Sequence, residues 1–402
     1  MDEPAGPEQH HGRDRTPVHS GFVYIDQPEQ LDGVMAQLRA AESCALDTEF
    51  VKVNSFYPAL GLLQVNIDGC AYVIDGKLPL QSFWPVLFAL PQVVVHACSE
   101  DLDLIYHQSG ERPLMNVLDT QIGLSFLGHG LQLGYQPAVQ QFLGLSLDKG
   151  ETRSDWLARP LRPEQLQYAA NDVIYLPVLA QRIVEQLDQR QLLAMVQEDS
   201  QTLAIECATE VPLIHCYLDH AHPRHSRRQL AQLQQLCMWR EQLAQSRNQP
   251  RNFILKSSTL AALIEQQPRN LFALQKIRDL HPLVLREHGR TLLDLLHHLP
   301  DTEHWPERLA RPPRLRSAEL GREIDRTIHE AAHHLQVPEP VLMRRKWLNA
   351  LLTHVATGLE EDTLPLALLG WRYEALTLPL LELLGQEADW MVAGNDTAGL
   401  PV

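Results

Sequence analysis

One stretch, Ala45-Leu46-Asp47-Thr48-Glu49-Phe50, decides how the rest of the chain is interpreted. In an extended strand successive side chains point to opposite faces, so Asp47 and Glu49 share one face. Two acids placed in this way repel each other unless a cation lies between them. The stretch therefore predicts either a metal site on a strand or an edge strand with a solvated acidic face.

The chain around this stretch alternates strand and helix patterns. Short apolar, β-branched runs predict strands at 22–25, 43–51, 60–67, 71–74 and 92–96. Asp68-Gly69 predicts a hairpin turn between two of them. A helix is predicted over Pro28 to Ala41, another opens at Leu118-Asp119-Thr120, and a long one runs from Pro163 to about Leu187. Strands with helices between them predict an α/β domain with a mixed sheet.

Beyond Leu187 the strand pattern stops and helical periodicity dominates. The domain boundaries predicted from composition and periodicity are a disordered tail (1–18), the α/β domain (19–190), a helical connector (191–223), a basic helical domain of about five short helices (224–300), a Pro-rich linker (301–316), a second helical domain (317–385) and a C-terminal tail (386–402).

The net charge of −16 has the wrong sign for a protein that binds nucleic acid over its whole surface. The charge is uneven, however. Residues 224–290 contain 12 Lys/Arg against 4 Asp/Glu, a local charge of +8 that leaves −24 for the remainder. This distribution predicts a basic module attached to an acidic one, and its plain alternative is a solvated basic face that meets no nucleic acid.

Hydropathy and cysteine usage indicate a cytoplasmic protein. No apolar run approaches the ~20 residues of a membrane helix, and residues 1–20 lack the apolar core of a signal peptide. Six scattered cysteines without a C-x-x-C pair argue against a zinc knuckle and a disulfide framework and fit a reducing compartment.

Two further acidic positions accompany the first pair. Asp101 follows a predicted strand at a helix start, where acids commonly just complement the helix dipole. Asp172 follows Tyr168 by four residues on one helix, so the two side chains share a face. Together with Asp47 and Glu49 they supply four carboxylates and one phenol. Such a set suits two Mg²⁺ or Mn²⁺ ions, which prefer oxygen ligands and can clamp a phosphodiester during in-line hydrolysis.

These motifs resemble those of the DEDD exonucleases in the subgroup with tyrosine in the third motif, and within it the ribonuclease D family. The segments that carry the resemblance lie between residues 22 and 188 and are Leu46–Val51, Tyr57–Leu62, His96–Leu102, Leu118–Gln121, Leu147–Lys149, Arg153–Leu161 and Tyr168–Val173. The basic helical domain is similar to the HRDC domain, through Trp239-Arg240, Asn248-x-Pro250 and the segment Leu280–Leu293. The segment around Trp371-Arg372 resembles a second, divergent HRDC repeat.

The resemblance implies an RNase H-like α/β fold followed by two all-α HRDC-type domains. It also implies roles for single residues. Asp47 would bridge two metal ions, Glu49 and Asp172 would hold the ion that carries the attacking water, and Asp101 would serve the second ion. Tyr168 would position the water. The implied reaction is 3'→5' hydrolysis of RNA to nucleoside 5'-monophosphates, and the implied substrate is precursor tRNA with a single-stranded 3' end.

Residues expected to contact nucleic acid are less distinctive. Arg153, Trp156 and Arg159 combine guanidinium groups with an aromatic ring, which suits phosphate contact and base stacking, although a loop packed by Trp156 would have the same composition. In the basic domain the cations expected to contact backbone phosphates are Arg227, Arg228, Arg240, Arg251 and Lys256.

The residues predict an acidic two-metal site, and the resemblance implies that the protein is a metal-dependent 3'→5' exoribonuclease, expected to be a monomer that makes no membrane contact. Two alternatives stay open at this level. A DNA exonuclease with the same motifs would differ in its response to a 2'-hydroxyl, and a non-catalytic nucleic-acid adaptor would use the basic domain alone.

Overall fold

The computed structural model describes residues 21–110, 112–147, 150–151, 154–309, 313–315, 317–357, 364–386 and 391–392. Among these residues no helix is both long and apolar enough to cross a bilayer.

Six strands form one mixed sheet in the order β1-β4-β3-β2-β5-β6. They are β1 (Phe22–Ile25), β2 (Ser43–Val51), β3 (Ala59–Ile67), β4 (Cys70–Asp75), β5 (Gln92–Val95) and β6 (Val117–Asp119). β3 runs antiparallel to both of its neighbours, whereas the other pairings are parallel. The mixed sheet is as predicted, and the strand with the acidic pair is β2, well inside it. Asp68 and Gly69 both have positive φ, as a tight hairpin between β3 and β4 requires.

Among the described residues, eight helices belong to this α/β domain. They are α1 (Pro28–Ala40), α2 (Phe83–Ala89), α3 (Ser99–Gln108), α4 (Thr120–Phe126), α5 (Tyr135–Leu143), α6 (Pro163–Ile174), α7 (Leu176–Gln189) and α8 (Leu193–Ala208). The prediction of one helix from Pro163 to Leu187 is wrong, because Pro177 cannot continue α6 and instead starts α7. The prediction also missed β6, α2 and α5, whose short segments carry too few periodic positions.

Side-chain alternation along the strands gives the sheet two apolar faces. On β2, Leu46 packs with α1, α2 and α3, while Ala45 packs with α4, α6 and α7. The acidic pair thus lies on a central strand that is covered on both sides. An exposed edge strand, the plain alternative for this stretch, is excluded.

The connector predicted between the first two domains is not a free linker. Within it, α8 packs against β6 and α3, and Ser200 at its centre is fully buried. The Ser200 hydroxyl accepts a hydrogen bond from the Asp119 amide, at 3.1 Å. Structurally, α8 therefore extends the α/β domain.

The basic region forms a separate helical unit, which we call the middle domain (residues 213–305). Its helices are α9 (Arg227–Ser246), α10 (Arg251–Ile254), α11 (Ser257–Gln266), α12 (Leu271–Leu274) and α13 (Pro282–His297). Its apolar cluster runs from Tyr217 to Leu296 and includes no member of the α/β domain among the described residues.

Unlike the helices of the middle domain, the C-terminal helices pack against the α/β domain. They are α14 (Ala318–Leu335), α15 (Glu339–Leu342), α16 (Arg345–Thr357) and α17 (Leu378–Gln386), next to a small ribbon of β7 (Arg314–Leu315) and β8 (Met391–Val392). Their buried residues, such as Ile324, Leu351 and Leu380, belong to the same apolar cluster as α6 and α7. The C-terminal helices and the α/β domain therefore share one core.

Candidate active site

Three of the predicted acids meet at one place. Asp47 and Glu49 project from β2, and Asp172 lies in the last turn of α6, which packs across β2, β3 and β4. A carboxylate oxygen of each lies within 4.8 Å of the other two. The register of β2 against β3 shifts between Glu49 and Phe50, an irregularity of the kind that re-aims side chains beside functional sites.

Asp101, in the first turn of α3, is held separately. Its carboxylate accepts a hydrogen bond from the Thr48 hydroxyl of β2. Thr48 is the residue between Asp47 and Glu49, and strand alternation alone would place it on the other face. Asp101 thereby stands beside the group of three without belonging to it, close enough for its charge to act on Asp47, Glu49 and Asp172.

Burial and neighbouring charges raise the pKa of all four carboxyl groups. Burial raises the pKa of Glu49 to about 9 and that of Asp172 to about 7. Repulsion from Asp101 adds to both shifts, and repulsion from Asp172 adds to that of Glu49. Burial raises the pKa of Asp101 to about 6, against the opposing effect of the Thr48 hydrogen bond. The pKa of Asp47 is raised well above its usual range by burial and by the three other charges.

The chemistry of this donor set fits divalent metal ions. Four carboxylates supply only oxygen ligands, and their mutual repulsion is the feature that a bound cation relieves. Hard cations such as Mg²⁺ and Mn²⁺ favour this kind of site.

The start of α3 is fixed by Asp119 at the end of β6. Its carboxylate accepts hydrogen bonds from the amides of Ala97, Cys98 and Gln121, at 3.0, 3.1 and 2.7 Å. Ala97 has φ of 59°, a left-handed conformation that is costly for alanine. This turn aims the first residues of α3, and so Asp101, toward β2.

Two phenols adjoin the acids. Tyr168 lies one helical turn before Asp172 on α6, and its ring packs on Trp156 with centroids 6.0 Å apart. Tyr135, at the start of α5, donates a hydrogen bond to the Asn171 carbonyl at 3.0 Å. Burial, then the charges of Asp172 and Asp47, raise the pKa of Tyr135 well above its usual range.

Sequence reasoning missed Thr48, Tyr135 and the buttressing role of Asp119. Thr48 and Asp119 lie inside the motifs that resemble those of the family, and that position could have marked them as residues of the site. Nothing local marked Tyr135, because it reaches the site only through the packing of α5 against α7 and the end of α6.

Trp156 and Arg159 have structural roles in place of the expected nucleic-acid contact. Trp156 is 2% exposed, too buried to stack on a base. The Arg159 guanidinium pairs with Asp75 at 2.6 and 2.7 Å and donates to the carbonyls of Gly61, Trp156 and Ala158. Every donor nitrogen of Arg159 is thus used inside the fold. Arg153 lies outside the described residues.

The five cations expected to contact RNA in the middle domain divide into two groups. Arg240 is 4% exposed and contacts His220 and the Leu255 carbonyl, which corrects its expected phosphate contact. Arg227 pairs with Glu307 and donates to three carbonyls of residues 302–306. Arg251 pairs with Glu241.

The other two cations, Arg228 and Lys256, are exposed, and Arg251 is exposed too despite its pairing with Glu241. The first two line separate clefts of the middle domain, Arg228 one of about 780 Å³ and Lys256 one of about 400 Å³.

Comparison with known proteins gives two family matches. Residues 22–188 match the 3'-5' exonuclease model and residues 229–296 the HRDC domain model. Ribonuclease D of Pseudomonas paraeruginosa is 36% identical over 348 residues, covering 85% of this chain and 91% of the relative. Ribonuclease D of a Shewanella species is 33% identical over 377 residues, covering 90% and 94%.

A crystal structure of Escherichia coli RNase D, described as an exoribonuclease involved in structured RNA processing, superposes with a TM-score of 0.84. It is 28% identical and covers 91% of this chain and 99% of that one. This likeness over nearly the full length includes the RNase H-like sheet and the helical domains. With the acidic cluster and the two family matches, it shows that the chain belongs to the ribonuclease D family of 3'→5' exoribonucleases.

Proposed function

We propose that the protein trims the 3' ends of precursor tRNAs and other structured RNAs at the cluster of Asp47, Glu49, Asp101 and Asp172, releasing nucleoside 5'-monophosphates. The observation that supports this most directly is the convergence of three carboxylates within 4.8 Å. Asp47, Glu49 and Asp172 would hold divalent cations, with Asp101 placed to complete the ligand set. Two bound Mg²⁺ or Mn²⁺ ions would supply Lewis acidity and lower the pKa of the attacking water.

The residues of the chain have separate tasks in this reaction. The buried carboxylates fix the charge of the site before substrate arrives, so little reorganisation accompanies the reaction. Tyr168 shares a helix face with Asp172 and would orient the attacking water through its hydroxyl. Its packing on Trp156 restricts the ring to one position. We further propose that the protein acts as a monomer in the cytoplasm, in keeping with six free cysteines.

The substrate class is supported by the charge distribution. An acidic body discourages general binding of nucleic acid, while the middle domain offers exposed Arg228 and Lys256 for contacts with backbone phosphates. Such contacts carry no sequence information, as expected for an enzyme that acts on many structured RNAs.

The proposal is tested by a time course on a 3'-extended tRNA labelled at its 5' end, with Mg²⁺, with Mn²⁺ and with EDTA, beside a matched DNA strand. We expect stepwise shortening of the RNA from its 3' end that requires metal and is weak on DNA. Equal digestion of DNA would instead favour a DNA exonuclease, and binding without shortening would favour an adaptor.

Site-directed variants test which residues take part in cleavage. Asp47→Ala and Asp172→Ala should abolish cleavage while RNA affinity and fold are retained, and Glu100→Ala, an exposed neighbour of Asp101 on α3, is the control that should stay active. Tyr168→Phe should lower the single-turnover rate about 10²-fold with unchanged metal affinity. Full activity of either aspartate variant would remove the cluster from the mechanism.

A further inference from the structure

The middle domain touches the α/β domain at a loop beside the acidic cluster. This loop, residues 52–58, follows β2 directly, and we call it the bridge loop. The side-chain oxygen of Asn248 accepts hydrogen bonds from two successive amides of the bridge loop, those of Phe56 at 3.0 Å and Tyr57 at 3.1 Å. Asn248 lies just beyond α9, with φ of 45°, a left-handed conformation that asparagine adopts more readily than most residues.

A second contact reinforces the first. The Arg251 guanidinium lies over the Phe56 ring, 4.5 Å from its centroid. Arg251 is fixed there by Glu241, with two hydrogen bonds of 2.5 Å. With its charge paired to Glu241, Arg251 presents the face of its guanidinium group as a stacking surface for the bridge loop.

The bridge loop is also tied to α3, the helix that carries Asp101. Lys52 pairs with Asp103 at 2.8 Å, and the Tyr57 ring meets the His107 ring edge-on with centroids 5.1 Å apart. One short loop therefore connects the strand with Asp47 and Glu49, the helix with Asp101, and the middle domain.

The hydrogen bonds of Asn248 matter because, among the described residues, no shared apolar core fixes the orientation of the middle domain relative to the α/β domain. The C-terminal helices share a core with the α/β domain, whereas the apolar cluster of the middle domain is its own in the part of the chain described. The orientation of the middle domain then depends on chain connections and on contacts such as those of Asn248 and Arg251. Interfaces of this kind permit relative domain motion unless specific contacts oppose it.

We propose that Asn248 is a positioning residue that holds the middle domain at a set distance from the acidic cluster, and thereby determines how many nucleotides of a 3' tail remain next to a base-paired stem when trimming stops. This inference rests on the proposed exoribonuclease function. A duplex bound by the middle domain advances toward the site only as far as the contact with the bridge loop allows. If the middle domain were held less firmly, trimming would stop at several different distances from the stem.

The test compares three variants of the full chain on two RNAs. Asn248→Ala removes the acceptor and places alanine in a left-handed conformation, Asn248→Gly removes the acceptor without that strain, and Asn248→Asp keeps an acceptor oxygen. One substrate is a single-stranded hexanucleotide and the other is a stable hairpin with a 12-nucleotide 3' tail, each labelled at its 5' end.

We expect the Ala and Gly variants to degrade the hexanucleotide within about twofold of the wild-type rate, because every residue of the acidic cluster is intact. On the tailed hairpin they should stop over several positions where the wild type stops at one or two, and Asn248→Asp should restore the wild-type pattern. Hydrogen exchange gives a readout independent of activity. The amides of Phe56 and Tyr57 should exchange about tenfold faster in the Ala and Gly variants, the effect of losing a hydrogen bond of ordinary net strength.

The inference is overturned if the Ala and Gly variants stop at the wild-type positions, or if they lose activity equally on both RNAs, which would mean that the contact acts on the active site itself. Unchanged exchange at Phe56 and Tyr57 would also overturn it. Failure of the wild type to shorten any RNA would instead refute the proposed function, so the two failures are distinguishable.

Discussion

At the scale of single residues, the acids of the site are placed where their ionisation is unfavourable. Burial raises the pKa of Glu49 to about 9 and that of Asp172 to about 7, so without metal near pH 7 the site retains protons on its carboxyl groups. A metal ion binds the deprotonated carboxylates and must displace these protons. Metal affinity and proton release are therefore coupled.

This coupling predicts a pH dependence. Because the pKa values of these acids are raised in the folded state, their contribution to stability is complete below their unfolded values near 4 and is lost as pH rises through the folded values, up to about 9. We expect the metal-free protein to lose thermal stability over that window, with Mg²⁺ restoring it most at the alkaline end. Calorimetry in buffers of different ionisation enthalpy should show release of more than one proton per site at pH 7.

Asp172→Asn is the control, since it should release fewer protons than the wild type and melt less steeply with pH in EDTA. Metal binding without proton release at pH 7 would contradict the raised pKa values.

A second residue-scale prediction concerns Arg159. Its guanidinium is paired with Asp75, which also accepts a hydrogen bond from Tyr24 at 2.7 Å. Arg159→Ala leaves Asp75 without its cation, and the free energy of unfolding should fall by about 3 kcal/mol. RNA affinity of the folded variant should stay close to that of the wild type. Denaturant unfolding and a binding titration measure the two effects.

Arg162→Ala is the matched control. Arg162 pairs with Glu151 but is 56% exposed, so solvent screens the pair and its loss should leave the free energy of unfolding close to that of the wild type. If Arg159→Ala instead kept full stability and weakened RNA binding, Arg159 would contact RNA as the sequence predicts, and its proposed structural role would be wrong.

At the scale of secondary-structure elements, α8 links the core of the α/β domain to the C-terminal helices. Asp199 on α8 pairs with Arg372 at 2.5 and 2.6 Å and accepts a hydrogen bond from the Trp371 indole at 2.9 Å. Arg372 is 2% exposed and its guanidinium lies between the Trp371 and Trp347 rings, 4.1 and 5.1 Å from their centroids. The segment Trp371-Arg372, which resembles part of an HRDC repeat, therefore joins the C-terminal segment to α8.

We expect Arg372→Met to destabilise the protein by about 3 kcal/mol, because Asp199 is left nearly buried without its cation. Adding Asp199→Asn should recover much of that loss, giving a coupling energy of about 2 kcal/mol in a double-mutant cycle measured by denaturant unfolding. Strictly additive effects of the two substitutions would show that the pair does not act as a unit.

At the scale of the whole molecule, the order of domains along the chain differs from their association in space. The C-terminal helices complete the core of the α/β domain, and the middle domain lies between them in sequence with a core of its own. The predicted second helical domain, 317–385, is thus packed as part of the first unit, and its likeness to an HRDC repeat stays a prediction.

This arrangement predicts opposite results for two deletions. Truncation after residue 212 removes the C-terminal helices, uncovers apolar surface of α4 and α8, and should lower the melting temperature by many degrees. Replacing residues 213–305 with a flexible Gly-Ser linker should leave a folded protein that degrades short single strands and binds tRNA weakly. Thermal unfolding and assays on both RNAs measure the difference, and equal melting temperatures of the two variants would contradict the shared core.

The sequence by itself determined the mixed sheet, the strand with Asp47 and Glu49 on one face, and the helix with Tyr168 and Asp172, because each depends on a period of a few residues. The tertiary structure decided which distant residues each side chain contacts. Asp101 is held by Thr48 over 53 positions, Arg159 by Asp75 over 84, and Asn248 meets Phe56 over 192. Contacts at such separations follow from the packing of whole elements, which no local pattern encodes. For that reason Trp156, Arg159 and Arg240 were expected to contact RNA and instead make their contacts within the protein.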